Sequence, residues 1–217
     1  MIRYRNTWAE IDLAAIRHNV TKLNELLPNH RNIMGVVKAD AYGHGSIEVA
    51  KTLHDVGIDH FMVAYLEEAL KLRQYGITAP ILVIGRVPPQ YVSVAVEHRI
   101  TLAVFQREWI LEALDHSFTG ILSIHLEFET GFNRTGIRSE DALKEIIQVV
   151  EDSKGKIVIT GAYTHFATAD VIDSIHYKRQ KESYERMLEV LQSNYKRDVI
   201  AHIGNSAAGI QYPEEMR

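Results

Sequence analysis

The sequence predicts an α/β protein of the (β/α)8 TIM-type barrel class, and three observations predict it. Short, uninterrupted apolar runs alternate with longer amphipathic stretches, the pattern of a parallel sheet covered on both faces. The alternation repeats seven times without a break in composition, which favours a barrel over an open doubly wound sheet. The 217 residues, 46% of them hydrophobic, suffice for one large core. A closed barrel of this kind takes eight strands. Seven are visible before Arg217, so the barrel is expected to be incomplete, with two strand edges left unpaired.

The elements follow in order. Leu13, Ile16, Val20, Leu23 and Leu26 recur at helical spacing behind Asp12, a capping residue, and Pro28 ends that helix. Ile33–Val37 reads as the first strand, with a helix from Ser46 to Val56 after it. Phe61–Ala64 is the second strand, and Leu66–Tyr75 a helix closed by Gly76. Ile81–Gly85 is the third, with Pro88 or Pro89 opening the next helix. Leu102–Phe105 is the fourth, followed by a helix through Leu114. Ile121–Glu129 is the fifth. Ser139 then caps a helix with Glu140 and Asp141 in its first turn and Ile146, Ile147 and Val150 on its apolar side. Ile157–His165 is the sixth strand, a long helix lies within Ser174–Gln192, and Val199–Ile203 is the seventh strand. Thr7–Leu13 reads as a short strand outside the barrel count, which divides the chain into an N-terminal segment (1–12) and a barrel (13–217).

Composition narrows the function. The formal net charge is -4, so no basic surplus exists to neutralise a nucleic-acid backbone. Cysteine is absent, which excludes disulfides and thiolate metal sites and fits a reducing, cytoplasmic compartment. No run approaches the roughly 18 apolar residues of a membrane span, and the start does not resemble a signal peptide.

In a parallel barrel the chemistry sits where strands end. The first strand ends in Lys38-Ala39-Asp40-Ala41-Tyr42-Gly43-His44-Gly45. The fifth carries His125, Glu127 and Glu129 on one face, and the loop after it runs from Thr130 to Gly136 and contains Arg134. The sixth ends at Thr164-His165-Phe166 and the seventh at Gly204-Asn205-Ser206-Ala207-Ala208. Each has a plain structural reading: a surface lysine at a strand end, a hydrogen-bonded histidine, an ion-paired arginine, two carboxylates that serve as its partners, and Gly43 and Gly45 in a tight turn. A lysine aimed into a barrel mouth differs, because desolvation frees its amine for Schiff-base chemistry. Gathered at one end of a barrel, these residues point to a site. Other chemistries fit less well. The 11 histidines include no His-x-His pair and no His-Glu-x-x-His, so no metal is expected. Gly-x-Ser-x-Gly, a Walker-type loop and Gly-x-Gly-x-x-Gly are all missing. Glu127 and Glu129 share one strand, whereas glycosidase carboxylates face each other across a bond.

The segment Val36-Val37-Lys38-Ala39-Asp40-Ala41-Tyr42-Gly43-His44-Gly45 closely resembles the pyridoxal-phosphate signature of the alanine racemases, a fold-type III family. The resemblance extends over essentially the whole chain. It takes in Trp8-Ala9-Glu10-Ile11-Asp12-Leu13, Thr130-Gly131 with Arg134-Thr135-Gly136, Thr164 to Asp170, and Asn205-Ser206-Ala207-Ala208. It implies pyridoxal 5'-phosphate held on Lys38 as an internal aldimine, with Lys38 also one of two catalytic bases. Tyr42 and Ser206 would bind the phosphate, with Asn205 beside them. His165 would lie against the pyridine ring and Arg134 would hydrogen-bond the phenolic oxygen. The implied reaction interconverts L- and D-alanine in a cytoplasmic homodimer, which makes D-alanine for peptidoglycan.

The sequence departs from the family pattern in two places. Glu127 stands where many members have a carbamylated lysine, so it is expected to support Arg134 by pairing with it directly. Glu129-Thr130-Gly131-Phe132-Asn133-Arg134 stands where the loop usually reads Asp-Thr-Gly-Met-Gly-Arg. The family also has an eighth strand, and a β-rich second domain that supplies the opposing tyrosine base. On that footing these 217 residues alone are expected to show weak or no racemisation. The rival readings are a non-catalytic pyridoxal-phosphate barrel protein, a decarboxylase or racemase of another substrate such as serine, and a non-enzymatic fragment.

Overall fold

The computed structural model describes residues 6–28, 32–171 and 174–216. The seven apolar runs form seven strands: β1 (Gly35–Val36), β2 (Phe61–Val63), β3 (Ile81–Val83), β4 (Ile100–Val104), β5 (Leu122–Phe128), β6 (Ile157–Thr164) and β7 (Ile200–His202). They make one sheet in chain order, and every neighbouring pair is parallel. A doubly wound sheet would reverse its order at a switch point. This one does not, and it is the sheet of an incomplete (β/α) barrel. Among the described residues no ladder joins β7 to β1. The outermost strands are shorter than their apolar runs: Ile33–Val37 contributes two residues and Val199–Ile203 three, since each has a partner on one side only.

The helices are α1 (Leu13–Leu26), α2 (Lys38–Tyr42), α3 (Ser46–Asp55), α4 (Leu66–Gln74), α5 (Val92–Glu97), α6 (Arg107–Asp115), α7 (Glu140–Asp152), α8 (Ile175–Asn194) and α9 (Ser206–Gln211). Asp12 caps α1, accepting from the N–H groups of Ala14 and Ala15 at 2.8 and 3.1 Å. The strand expected within Thr7–Leu13 does not form. Residues 7–12 carry no ladder, and the Asp12 cap turns the chain into α1; residues 1–5 of the N-terminal segment (1–12) lie outside the described residues. Pro89 opens a 3-10 turn, Pro89–Tyr91, ahead of α5, as its locked φ and missing N–H suit a first turn. Ser139 caps α7 through its hydroxyl, 3.2 Å from the Ala142 N–H.

Strand alternation separates structural from chemical residues. On β5, Leu122, Ile124, Leu126 and Phe128 are buried in the main core, on the helix side. Full burial of such a side chain is worth about 1.5–3 kcal/mol. Ser123, His125 and Glu127 take the other face, toward the interior of the half-barrel. That interior holds a smaller apolar cluster of Leu82, Ala103 and Tyr163 with Met34, Met62 and Ile84. The β5–β6 register shifts beside His125: Ile124 faces Ile159, but His125 faces Gly161, which leaves Thr160 as the extra residue of a bulge. Gly161 is required there, because a Cβ would lie 2.5 to 2.6 Å from three atoms of the His125 ring. Beyond the bulge, Tyr163 pairs with Glu127 across the ladder.

Candidate active site

All seven strands are parallel, so their carboxyl ends lie along one edge, and every expected site residue on a strand end reaches that edge. Lys38 leaves β1 into a turn of unusual hand. Ala39, Asp40, Ala41 and Tyr42 have φ of 51, 54, 54 and 56°. A left-handed conformation costs an L-residue roughly 1–2 kcal/mol, so this segment forms only because its surroundings impose it. Gly43 and Gly45, at φ 88 and 90°, end the turn. The Gly43 N–H donates to Ala39 O at 3.1 Å and the Gly45 N–H to Asp40 O at 2.9 Å. The Asp40 carboxylate accepts from the Ser46 N–H and hydroxyl, both at 3.0 Å, and from Lys71 Nζ at 3.2 Å. The two Ser46 bonds, then Lys71, hold the Asp40 carboxyl below its usual range. Lys38 itself is half-buried, whereas Tyr42 is exposed.

The loop after β5 is built by Glu129. Its carboxylate accepts from the backbone N–H of Gly131 and, at 3.1 Å, from that of Arg134. Glu129 is thus a loop brace and not a partner of the arginine side chain. The Arg134 guanidinium lies 4.5 Å over the Phe132 ring, and that ring meets His165 edge-on at 4.8 Å. The direct Glu127–Arg134 pair expected from the sequence is not made. The buried Glu127 carboxylate instead accepts from Thr135 Oγ1, 3.0 Å from each oxygen. Burial raises the Glu127 carboxyl, against the opposing pull of Thr135 and then of the Arg134 charge. The Tyr163 hydroxyl lies beside this carboxylate without a bond of normal geometry, and burial followed by the Glu127 charge pushes it well up. Each end of the expected pair has another partner: the Phe132 ring lies under the guanidinium and the Thr135 hydroxyl donates to the carboxylate.

His165 closes the cluster. Burial first, then the positive charges of Arg134 and Lys38, depress its basicity, so its imidazole is neutral near pH 7. Lys38, Arg134 and His165 therefore occupy one neighbourhood, contributed by β1, the β5 loop and β6. At β7, Asn205 caps α9 by accepting from the Ala208 N–H at 3.0 Å and reaches Phe166 O at 3.4 Å, which ties this strand end to the His165 segment. Ser206 is the exposed first residue of α9. The side chains of Tyr42 and Ser206 make no hydrogen bond among the described residues and remain available as donors at the same edge.

Sequence reasoning missed Gln180. This residue of α8 is fully buried and uses both ends of its amide. Its oxygen accepts from the Ala167 N–H at 2.9 Å, and its nitrogen donates to His165 O at 3.0 Å and Thr130 Oγ1 at 3.3 Å. It thereby joins the loops after β5 and β6. No local pattern marks a glutamine in the middle of a long helix, and its partners lie 13 to 50 residues away. Leaving such groups buried and unpaired costs about 1–3 kcal/mol, so Gln180→Leu is expected to lower stability by about 2–3 kcal/mol in urea titrations. A loss below about 0.5 kcal/mol would show that the amide holds nothing.

The family model described as "Alanine racemase, N-terminal domain" matches residues 11–217. The chain belongs to the alanine racemase family. It is 41% identical over 208 residues to alanine racemase 1 of Bacillus subtilis (strain 168), covering 96% of this chain and 52% of that protein. A crystal structure of the Bacillus anthracis alanine racemase with bound L-Ala-P superimposes with a TM-score of 0.93 at 39% identity, over 98% of this chain and 55% of that one. A histidine racemase from Leuconostoc mesenteroides subsp. sake superimposes at 0.85 and 30% identity, over 100% of this chain and 57% of that one. The chain spans about half the length of the alanine racemases it matches. The incomplete barrel is thus the family's N-terminal domain.

Proposed function

We propose that this chain carries the cofactor site of an alanine racemase, with pyridoxal 5'-phosphate attached to Lys38. The observation that supports this best is the convergence of Lys38, Arg134 and His165 at one sheet edge, in the family's motif order. Two cations around a neutral imidazole suit a ligand that is anionic at its phosphate and at a phenolic oxygen. When bound, that cofactor supplies an electron sink that acidifies the substrate's α-hydrogen. The chain's own residues do the rest. Lys38 Nζ attaches the cofactor and exchanges a proton with the α-carbon on one face. His165, kept uncharged, offers a flat surface without competing charge. Arg134 Nη and Nε supply donors for the phenolic oxygen, and the Tyr42 and Ser206 hydroxyls, with Asn205 ordering the start of α9, serve the phosphate. Glu127 supports the arginine through charge from its Thr135-anchored position.

The substrate we assign is alanine, after the relatives' names, and the assembly a cytoplasmic homodimer that makes D-alanine for peptidoglycan. No helix among the described residues is long and apolar enough to cross a membrane. Racemisation of another amino acid is a second reading, favoured by the histidine racemase similarity. A direct test incubates the protein with pyridoxal phosphate and D-alanine in D2O. The α-hydrogen is expected to exchange for deuterium faster than L-alanine appears, because the resemblance places the opposing tyrosine base outside these 217 residues. Parallel reactions with serine and histidine separate the two readings. Alanine that keeps its α-hydrogen while the cofactor is bound would overturn the proposal.

A further inference from the structure

We propose that Glu68 is a positioning residue that locks the turn after Lys38 in its left-handed form and so sets the direction of the lysine amine; the inference rests on the reading of Lys38 as the cofactor-bearing residue. One carboxylate takes three backbone donors. Its Oε1 accepts from the Ala39 N–H at 2.6 Å, and its Oε2 accepts from Ala64 and Tyr65 N–H at 2.8 and 3.1 Å. Ala39 directly follows the lysine and is the first of five consecutive residues with positive φ, four of them not glycine. Ala64 and Tyr65 lie just past the end of β2, the ladder partner of β1. Glu68 thus bolts the strained turn to the end of the neighbouring strand, from a place in the first turn of α4 that favours a carboxylate.

Capping alone does not account for this arrangement. An N-cap interaction within α4 needs only the Tyr65 N–H, whereas the Ala39 bond spans 29 residues and is the shortest of the three. The chemistry also requires a carboxylate. All three partners are donors, and both oxygens are used, so an amide would turn an NH2 toward at least one N–H. An aspartate, one methylene shorter, cannot keep both oxygens in place. Asp40, bonded to Ser46 and Lys71, secures the far side of the turn, and next to Lys38 the Ala41 N–H donates to Val37 O at 3.0 Å, so Glu68 is the side chain that ties the lysine's end of the turn to the neighbouring strand.

The test compares the protein with its Glu68→Gln and Glu68→Asp variants, and with Glu67→Gln as a control for loss of charge at the start of α4, where Glu67 is exposed. Three quantities are read: residue-resolved amide exchange without cofactor, pyridoxal-phosphate affinity, and borohydride fixation on Lys38. In the unaltered protein the Ala39 amide is expected to be protected. In Glu68→Gln, exchange at Ala39 is expected to rise about tenfold or more, and cofactor affinity to fall about ten- to a hundredfold, the effect of a lost charge-assisted bond. Amides of β5 and β6 should stay unchanged, which a general loss of stability would not allow. Glu68→Asp should fall between the two, and Glu67→Gln should match the unaltered protein. Unprotected Ala39 in the unaltered protein overturns the latch without any variant, which keeps the test decisive even if Glu68→Gln fails to fold. Unchanged Ala39 exchange and cofactor affinity in Glu68→Gln overturn it as well. Failure of the unaltered protein to fix cofactor on Lys38 would instead overturn the proposed function, and leaves the Ala39 measurement to decide the latch.

Discussion

Lys38→Ala is expected to abolish covalent cofactor attachment. Borohydride treatment of the unaltered protein with pyridoxal phosphate should leave a stable adduct on the peptide that contains residue 38, and the variant should show none. Loss of a positioned proton-transfer group alone lowers rates roughly a hundred- to ten-thousandfold, so in an enzyme that contains this barrel the variant should fall at least that far. The fold should survive. Lys38 is half-buried and its amine makes no hydrogen bond or ion pair among the described residues, so the stability change should stay within about 0.5 kcal/mol. Lys71 provides an internal control: its amine sits 3.2 Å from Asp40 in the same turn, exposed and accessible to the reagent. An adduct on Lys71 that persists in Lys38→Ala would mean that the wrong lysine has been chosen.

How much of this site could be read from the sequence depends on whether the partners are neighbours in the chain. The strand ends were legible, because seven apolar runs of strand length, each followed by a helical period, leave little freedom in a parallel sheet, and Lys38 follows one of those runs directly while His165 ends another. The caps at Asp12 and Ser139 were legible for the same reason, since a cap acts over two or three residues. The left-handed turn was not. Gly43 and Gly45 announced a tight turn, but of Ala39-Asp40-Ala41-Tyr42 only Asp40 enters positive φ with any ease, and the groups that hold the turn are a glutamate 29 residues away and a serine six residues on. Gln180 was hidden likewise. The expected Glu127–Arg134 pair gives way to partners that charge alone does not reveal: Phe132 offers the guanidinium a ring at 4.5 Å, and Thr135 offers the carboxylate a hydroxyl at 3.0 Å. The bulge at Thr160 was equally invisible, yet it decides which side chains of β6 enter the barrel.

That bulge brings together the pair behind the second large expected effect, a loss of stability on mild acidification. His125 Nδ1 and His202 Nε2 are 2.8 Å apart inside the half-barrel, with the His202 ring stacked on Tyr163 at 5.0 Å. A nitrogen-to-nitrogen hydrogen bond needs one donor and one acceptor, so the pair holds together only while at least one acceptor nitrogen is unprotonated. Burial, and then the nearby His60, push His125 down to about 4 from an ordinary 6.5. Burial, then His125 and His60, push His202 well below its ordinary value. Between about pH 6.5 and 4 the unfolded chain therefore binds protons that the folded chain refuses, and stability falls as pH falls. For His125 alone the loss amounts to about 2 kcal/mol by pH 5 and approaches about 3 kcal/mol near pH 4. From about pH 7.5 upward neither state binds the proton and the contribution is flat. Two carboxyls bear on the acid end. The raised Glu127 works in the opposite direction, since the folded chain holds its proton more readily; the lowered Asp40 adds to the loss, but only below its ordinary value of 3.8. Between pH 6.5 and 5 the lowered His165 adds to the histidine pair's slope and the raised Glu127 offsets part of it, and urea midpoints measured across that range should drop steadily in the unaltered protein. Replacing both histidines with asparagine should make that slope clearly shallower, leaving the part due to His165, even if it lowers stability throughout. A profile of equal steepness in the double variant would mean that the protons are taken up elsewhere.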